Sequence, residues 1–88
     1  MRAVRTEHLR EFVVLAERGS FTGAAHELHL TQSALSKHIA ALEREFDVEL
    51  FVRDRAGVRL TKAGDALLER ALQIDLLLAQ TRRTLRNE

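Results

Sequence analysis

Phe21 to Phe46 reads FTGAAHELHLTQSALSKHIAALEREF and contains two apolar periods in succession. In the first, Phe21, Ala24, Ala25 and Leu28 recur at three- and four-residue steps. In the second, Leu35, Ile39, Leu42 and Phe46 do the same. Each is the mark of a helix with one face turned inward. His29 and Leu30 separate them, and Thr31 follows. A threonine there is an N-cap, because its side-chain oxygen accepts from a free amide of the new helix. The spacing therefore predicts two helices joined by a tight turn, the second over residues 31–46. Its leading end is slim, with Gln32, Ser33 and Ala34 in the first turn and Ser36 and Lys37 next. With the apolar stripe facing in, Gln32, Ser33, Ser36 and Lys37 lie on or near the opposite side.

A helix that enters the DNA major groove has this make-up. Base edges are read by hydrogen-bonding side chains such as Gln, Ser, Thr and Lys, and a thymine methyl by Ala. Ala24 and Ala25 allow the two helices to approach closely, as in a helix-turn-helix. His29 stands where such turns often carry Gly, so a β-carbon must fit a tight corner. An αα-hairpin from a small helical bundle has the same spacing, and both readings stay open on the pattern alone.

The bulk properties fit one small domain of 88 residues, 45% hydrophobic and 31% charged. A core this small gains from a partner. With no Cys there is no disulfide framework and no thiolate chemistry. No apolar run approaches a membrane span, and Arg2, Arg5, Glu7 and Arg10 interrupt any leader-like start, so a cytoplasmic location is expected. The net charge is only +1, which excludes a histone-like mode of binding. A specific reader of DNA then needs its basic groups gathered on one face. Lys37 and Lys62 are the only lysines among 14 basic residues; the rest are Arg, which suits forked contacts to phosphate and guanine.

Upstream, Thr6 is expected to cap a helix through Arg18, with Leu9, Phe12, Val13 and Ala16 on one face. Gly19 stops it, and Ser20 caps the next. Downstream, residues 50–53 and 58–60 read as two short strands around the turn Asp54-Arg55-Ala56-Gly57. A hairpin after a helix-turn-helix is a wing. Its tip holds Arg53 and Arg55, with Arg59 on the return, and arginines near a hairpin tip can enter a minor groove. The competing reading is a solvated turn whose arginines pair with Asp54 or Glu49. Thr61 then caps a long helix to about residue 86, with Gly64 permitting close packing. Leu67, Ala71, Ile74, Leu78, Thr81 and Leu85 alternate four- and three-residue steps, a coiled-coil seam. A second apolar set, Leu68, Leu72, Leu76 and Ala79, lies beside it. Two stripes exceed what one small fold can cover, which points to a second copy of the chain.

These residues together resemble the N-terminal DNA-binding domain of LysR-type transcriptional regulators. The run comprises Leu9-Arg10-Glu11-Phe12-Val13, Ala16-Glu17, Gly19 to Ala25, Leu28 and Thr31 to Ser36. It continues through Ile39, Leu42-Glu43, Leu50-Phe51, Arg53, Gly57, Leu60-Thr61 and Ala63-Gly64. The resemblance implies a mostly α fold: a winged helix-turn-helix with a short two-stranded wing and a long C-terminal dimerisation helix. Residues 1–60 would form the DNA-binding domain and 61–88 the linker and dimerisation helix. By similarity, Thr31, Gln32, Ser33, Ser36 and Lys37 face the major groove, and Arg53 and Arg55 reach the minor groove or its phosphates. The dimer, joined through Leu67, Ala71, Ile74, Leu78 and Leu85, would read an interrupted inverted repeat in double-stranded promoter DNA in the bacterial nucleoid. A small-molecule effector would act only through a C-terminal domain beyond this chain, which is therefore expected to be an excised part. Asp47 stands where the family often has Gly. Ala56 stands where a second wing arginine is common, leaving Arg55 and Arg59 to hold phosphate.

Other chemistries are not expected. His26 and His29 are three apart, but no Cys or carboxylate completes a metal-ligand set with them. His38 could lie near a phosphate. No Gly-rich phosphate loop is present, and Ser33 and Ser36 lack an activating partner in sequence, so neither a cofactor nor an enzymatic site is expected. The reading from a different class is a helical dimerisation module that binds protein rather than DNA.

Overall fold

The computed structural model describes residues 5–87. The order is α1 (Thr6–Arg18), α2 (Phe21–Leu28), α3 (Gln32–Phe46), β1 (Phe51–Asp54), β2 (Gly57–Leu60) and α4 (Lys62–Arg86). The two strands pair antiparallel, with Phe51 opposite Leu60 and Asp54 opposite Gly57. This is the winged helix-turn-helix expected from the sequence.

Three of the four helices among the described residues start on a side-chain cap. Ser20 Oγ accepts from Gly23 N at 3.1 Å, Thr31 Oγ1 from Ala34 N at 3.0 Å, and Thr61 Oγ1 from Gly64 N at 2.9 Å. α1 differs. Its cap is Arg5, which makes no side-chain capping bond, and Thr6 is already inside the helix. The first turn closes on the Arg5 carbonyl, which accepts from His8 N and Leu9 N.

α1, α2 and α3 each end on a left-handed residue: Gly19 (φ 68°), His29 (φ 57°) and Asp47 (φ 54°). Only the first is glycine. A residue with a β-carbon costs about 1–2 kcal/mol in this conformation, with Asp tolerating it better than most. The tight corner foreseen at His29 is therefore real. Asp47 does not reshape the end of α3; it adopts the left-handed turn a glycine would, and Val48 N bonds back to Glu43 O at 3.1 Å.

Phe12, Leu15, Leu35, Ile39, Leu42 and Leu50 are the largest fully buried side chains. The middle of the molecule is α1, which packs on α2, α3, α4 and β2. Hence Val14 and Leu15 are buried as well as the expected stripe, since neighbours on several sides cover more than one face. Phe46 departs from expectation. It continues the Leu42 spacing but is 43% exposed, because α3 runs past the edge of the core and turns away at Asp47.

The wing is fastened at its root. Leu50 is buried, its N–H donates to Glu43 Oε2 at 2.8 Å, and its carbonyl accepts from Thr61 N at 3.0 Å. Thr61 N thus meets Leu50 O in the register of the ladder, but the Leu50 amide is turned to Glu43, and β1 begins at Phe51, one residue later than the pattern indicates. Val58 N donates to Gly19 O at 3.2 Å, tying β2 to the corner between α1 and α2. A β-carbon on Gly57 would lie 2.8 Å from that same carbonyl.

Gly64 sets the rotational phase of α4. With it against the Leu50 carbonyl, Leu67, Leu68 and Ala71 also turn toward the core. The first turns of α4 thus pack on the core through Ala63, Leu67, Leu68 and Ala71. Ala71 is 3% exposed and Leu67 is half-buried, so these two members of the expected seam already pack inside their own chain. Leu78 is half-buried in a groove with Thr6, Glu7 and Arg10, while Ile74 and Leu85 remain exposed. The neighbouring stripe is the free one: Leu72, Leu76 and Ala79 are all exposed.

Candidate nucleic-acid interface

Capping by Thr31 presents the first turn of α3 to solvent. Thr31, Gln32, Ser33 and Lys37 are exposed, and Ser36 is half-buried. The Thr31 oxygen is engaged by Ala34 N, but its hydroxyl proton is free to donate. Ser36 is half-buried because the wing lies beside it. Arg53 Nη2 is 3.5 Å from Ser36 Oγ, and its guanidinium sits 4.2 Å from the centre of the Phe21 ring. Phe21, Gln32, Ser33, Ser36 and Arg53 line one cleft. The fold therefore joins the start of α2, the leading turn of α3 and the first wing strand in a single surface.

Arg53 is thus not a residue of the hairpin tip. It pairs with Val58 in the ladder and leans back over Phe21. Arg55 occupies the turn itself, exposed and outside the cleft. Arg59 does not stand free for phosphate; its guanidinium pairs with Asp54. That bond, with a further one from Ala56 N, holds the Asp54 carboxyl below its usual range. The solvated-turn reading thus holds for Arg59 but not for Arg53.

The outward stripe of α3 continues past its leading end. Ser33, Lys37, Ala40 and Arg44 follow four-, three- and four-residue steps, and Arg44 is exposed. It extends the outward stripe with a positive charge one turn before Asp47. The signal was the spacing, which continues past the leading end.

His38 lies on the flank of α3 toward α1. Its Nδ1 is 2.6 Å from Glu11 Oε1, and Glu11 is only 8% exposed. The His8 ring stacks on His38 with centroids 4.4 Å apart. This cluster braces α3 against the central helix α1. Burial, foremost, and then the His38 neighbour keep the His8 imidazole below its usual pKa, with Arg5 adding to the effect and Glu11 and Glu7 opposing it. A histidine with a depressed folded-state pKa adds stability that is present above about pH 6.5 and is lost as pH falls through the lower folded value. The stability advantage of the wild type over His8→Gln is therefore expected to shrink between neutral and mildly acidic pH. Denaturant titrations of both across that range check this; a constant difference would contradict it.

Among the described residues no group of three or more metal-ligating side chains is placed to hold an ion, and His26 and His29 are both exposed. Among them, too, no helix is long and apolar enough to cross a membrane.

The family of bacterial regulatory helix-turn-helix proteins of the lysR type matches residues 6–65. An uncharacterized HTH-type transcriptional regulator from the ibpB-leuC intergenic region of Azotobacter vinelandii is 54% identical over 79 residues, covering 90% of this chain and 55% of that protein. The chain thus spans about half the length of that relative. The DNA-binding domain of CbnR, solved with DNA, superposes with a TM-score of 0.90 at 34% identity, covering 94% of this chain and 95% of that one. The BenM DNA-binding domain, solved with catB site 1 DNA, superposes at 0.80 with 33% identity, covering 92% and 96%.

Proposed function

The chain belongs to the lysR family of bacterial regulatory helix-turn-helix proteins, and on that premise we propose that it is the DNA-reading part of a transcription regulator. α3 enters the major groove, the wing lies toward the minor groove, and two copies bind an inverted repeat in double-stranded DNA. The observation that carries this is the uncharged, capped leading turn of α3, with Gln32, Ser33 and Lys37 exposed and Arg53 held beside Ser36. Thr31, Gln32, Ser33, Ser36 and Lys37 are the reading set, Arg53 flanks them, and Arg55 and Arg44 hold phosphate. The role is binding rather than catalysis, and it places the protein in the cytoplasm, at the nucleoid.

The dimer reading rests on α4. Asp65, Glu69, Leu72, Leu76, Ala79 and Arg83 follow strict four-three steps, and all six are exposed. The stripe runs from acidic through apolar to basic. A second α4 laid antiparallel would bury the leucines and set Glu69 of each copy near Arg83 of the other. We therefore assign the seam to this stripe, with Ile74 and Leu85 at its margin, and not to Leu67 and Ala71.

Lys37→Ala tests the reading face. It is expected to weaken specific binding by about 1–3 kcal/mol, roughly five- to 150-fold. Fluorescence anisotropy with a selected duplex measures this, and an unchanged Kd and base preference would remove Lys37 from the face. Retention on duplex DNA at low salt, with release by added salt, separates a DNA reader from a protein-binding module, which flows through.

A further inference from the structure

Phe21 opens α2 and is only half-buried; its inner side packs against the core and its outer side carries the Arg53 guanidinium 4.2 Å from the ring centre. An apolar core residue has no need of a cation on its face. An arginine on a wing strand, conversely, has several rotamers open to it and loses that freedom when it binds. Here two contacts restrict it: the ring beneath and Ser36 Oγ at 3.5 Å from Nη2. Arg53 makes no ion pair among the described residues, since the pairs there involve Arg18 with Glu27, His38 with Glu11 and Arg59 with Asp54. Its charge is therefore oriented but not neutralised.

We infer that Phe21 is a positioning residue for DNA reading: its ring holds the unpaired Arg53 guanidinium against Ser36, so the wing arginine and the leading turn of α3 meet the duplex as one pre-ordered surface. This rests on the DNA-reading proposal and adds a residue whose own side chain need not touch DNA. The π face attracts the cation without consuming an N–H donor; one donor, at Nη2, is directed at Ser36 Oγ. The same contact couples the start of α2 to the wing. A change at Phe21 therefore acts on binding through Arg53.

A double-mutant cycle tests the coupling. Wild type, Phe21→Leu, Arg53→Ala and the double variant are titrated by fluorescence anisotropy against a labelled mixed-sequence duplex of about two helical turns at low salt. Phe21→Leu is expected to weaken binding about two- to five-fold in the wild-type background, the range of a solvent-facing cation–π contact. In the Arg53→Ala background it is expected to change nothing. Phe21→Tyr keeps the ring and is expected to keep the affinity. A second measurement does not need DNA: the Arg53 δ-methylene protons should be shifted upfield by the Phe21 ring in the NMR spectrum of the free chain. That shift should vanish in Phe21→Leu and persist in Phe21→Tyr. Additive losses, or unshifted Arg53 protons in the wild type, would overturn the inference while DNA reading stands. A folded wild-type chain that fails to bind the duplex would overturn both.

Discussion

Gly64→Ala is expected to lower the stability of the domain by about 1–3 kcal/mol, and the melting temperature by about 4–8 °C for each kcal/mol in a chain of this size. Intrinsic propensity predicts the opposite, because alanine in a helix is favoured over glycine by about 1 kcal/mol. The packing decides. A β-carbon at position 64 would lie 2.2 Å from the Leu50 carbonyl oxygen, 2.8 Å from Leu60 Cδ2 and 3.2 Å from the Leu50 carbonyl carbon. Two of these atoms are backbone, and the Leu50 carbonyl is already fixed by the bond from Thr61 N. α4 must therefore back away from the wing root, loosening the contacts of Leu67, Leu68 and Ala71 with the core. The wing root would lose its register with α3 at the same time, since Leu50 N is held by Glu43. Thermal and denaturant unfolding of the variant check this. A gain in stability would show that α4 is not seated as the structure has it.

Leu72→Glu combined with Leu76→Glu is expected to convert a dimer to a monomer with little loss of monomer stability. Both leucines are about half-exposed, at 49% and 57%, so the substitutions remove few contacts within the chain. In the dimer they would place four carboxylates where apolar surface should meet. Joining two half-site readers turns the second binding event into an intramolecular one, and avidity of this kind is about 10²–10⁴-fold. Affinity for an inverted repeat should therefore fall by about 100-fold or more, toward that for a single half-site. Sedimentation equilibrium and binding to one- and two-half-site duplexes measure both effects. Ala71→Glu serves as the contrast: it buries a charge in the domain's own core and should unfold the chain rather than merely separate two copies. If the Leu72/Leu76 variant stays dimeric, the seam lies on the side of Ile74 and Leu85.

Much of this architecture is legible in the sequence because local chemistry and packing agree. The caps at Ser20, Thr31 and Thr61, the stop at Gly19 and the inward stripe Leu35-Ile39-Leu42 are local signals, and each is realised. The left-handed corner at His29 was visible as a missing glycine. What was not legible is whatever depends on distant parts of the chain. Periodicity finds two apolar stripes on α4 but cannot say which faces home; that is set by Gly64 seated on a carbonyl 14 residues earlier in the chain. Spacing places Arg53 and Arg59 on one hairpin, yet one stacks on Phe21 and the other pairs with Asp54. The central position of α1 was masked by its ordinary amphipathic pattern, although the unbroken run Phe12-Val13-Val14-Leu15-Ala16 is wider than a single stripe needs. The Glu11–His38 brace joins residues 27 apart and leaves no local trace.

Selection of bound duplexes from a random-sequence pool by this 88-residue chain at moderate salt is the most direct test of dimeric DNA reading. The expected result is enrichment of an inverted repeat whose half-site preference changes in Lys37→Ala and whose two-fold symmetry is lost in the Leu72→Glu, Leu76→Glu variant. A folded chain that retains no duplex, or retains all sequences alike with no symmetry, would contradict it.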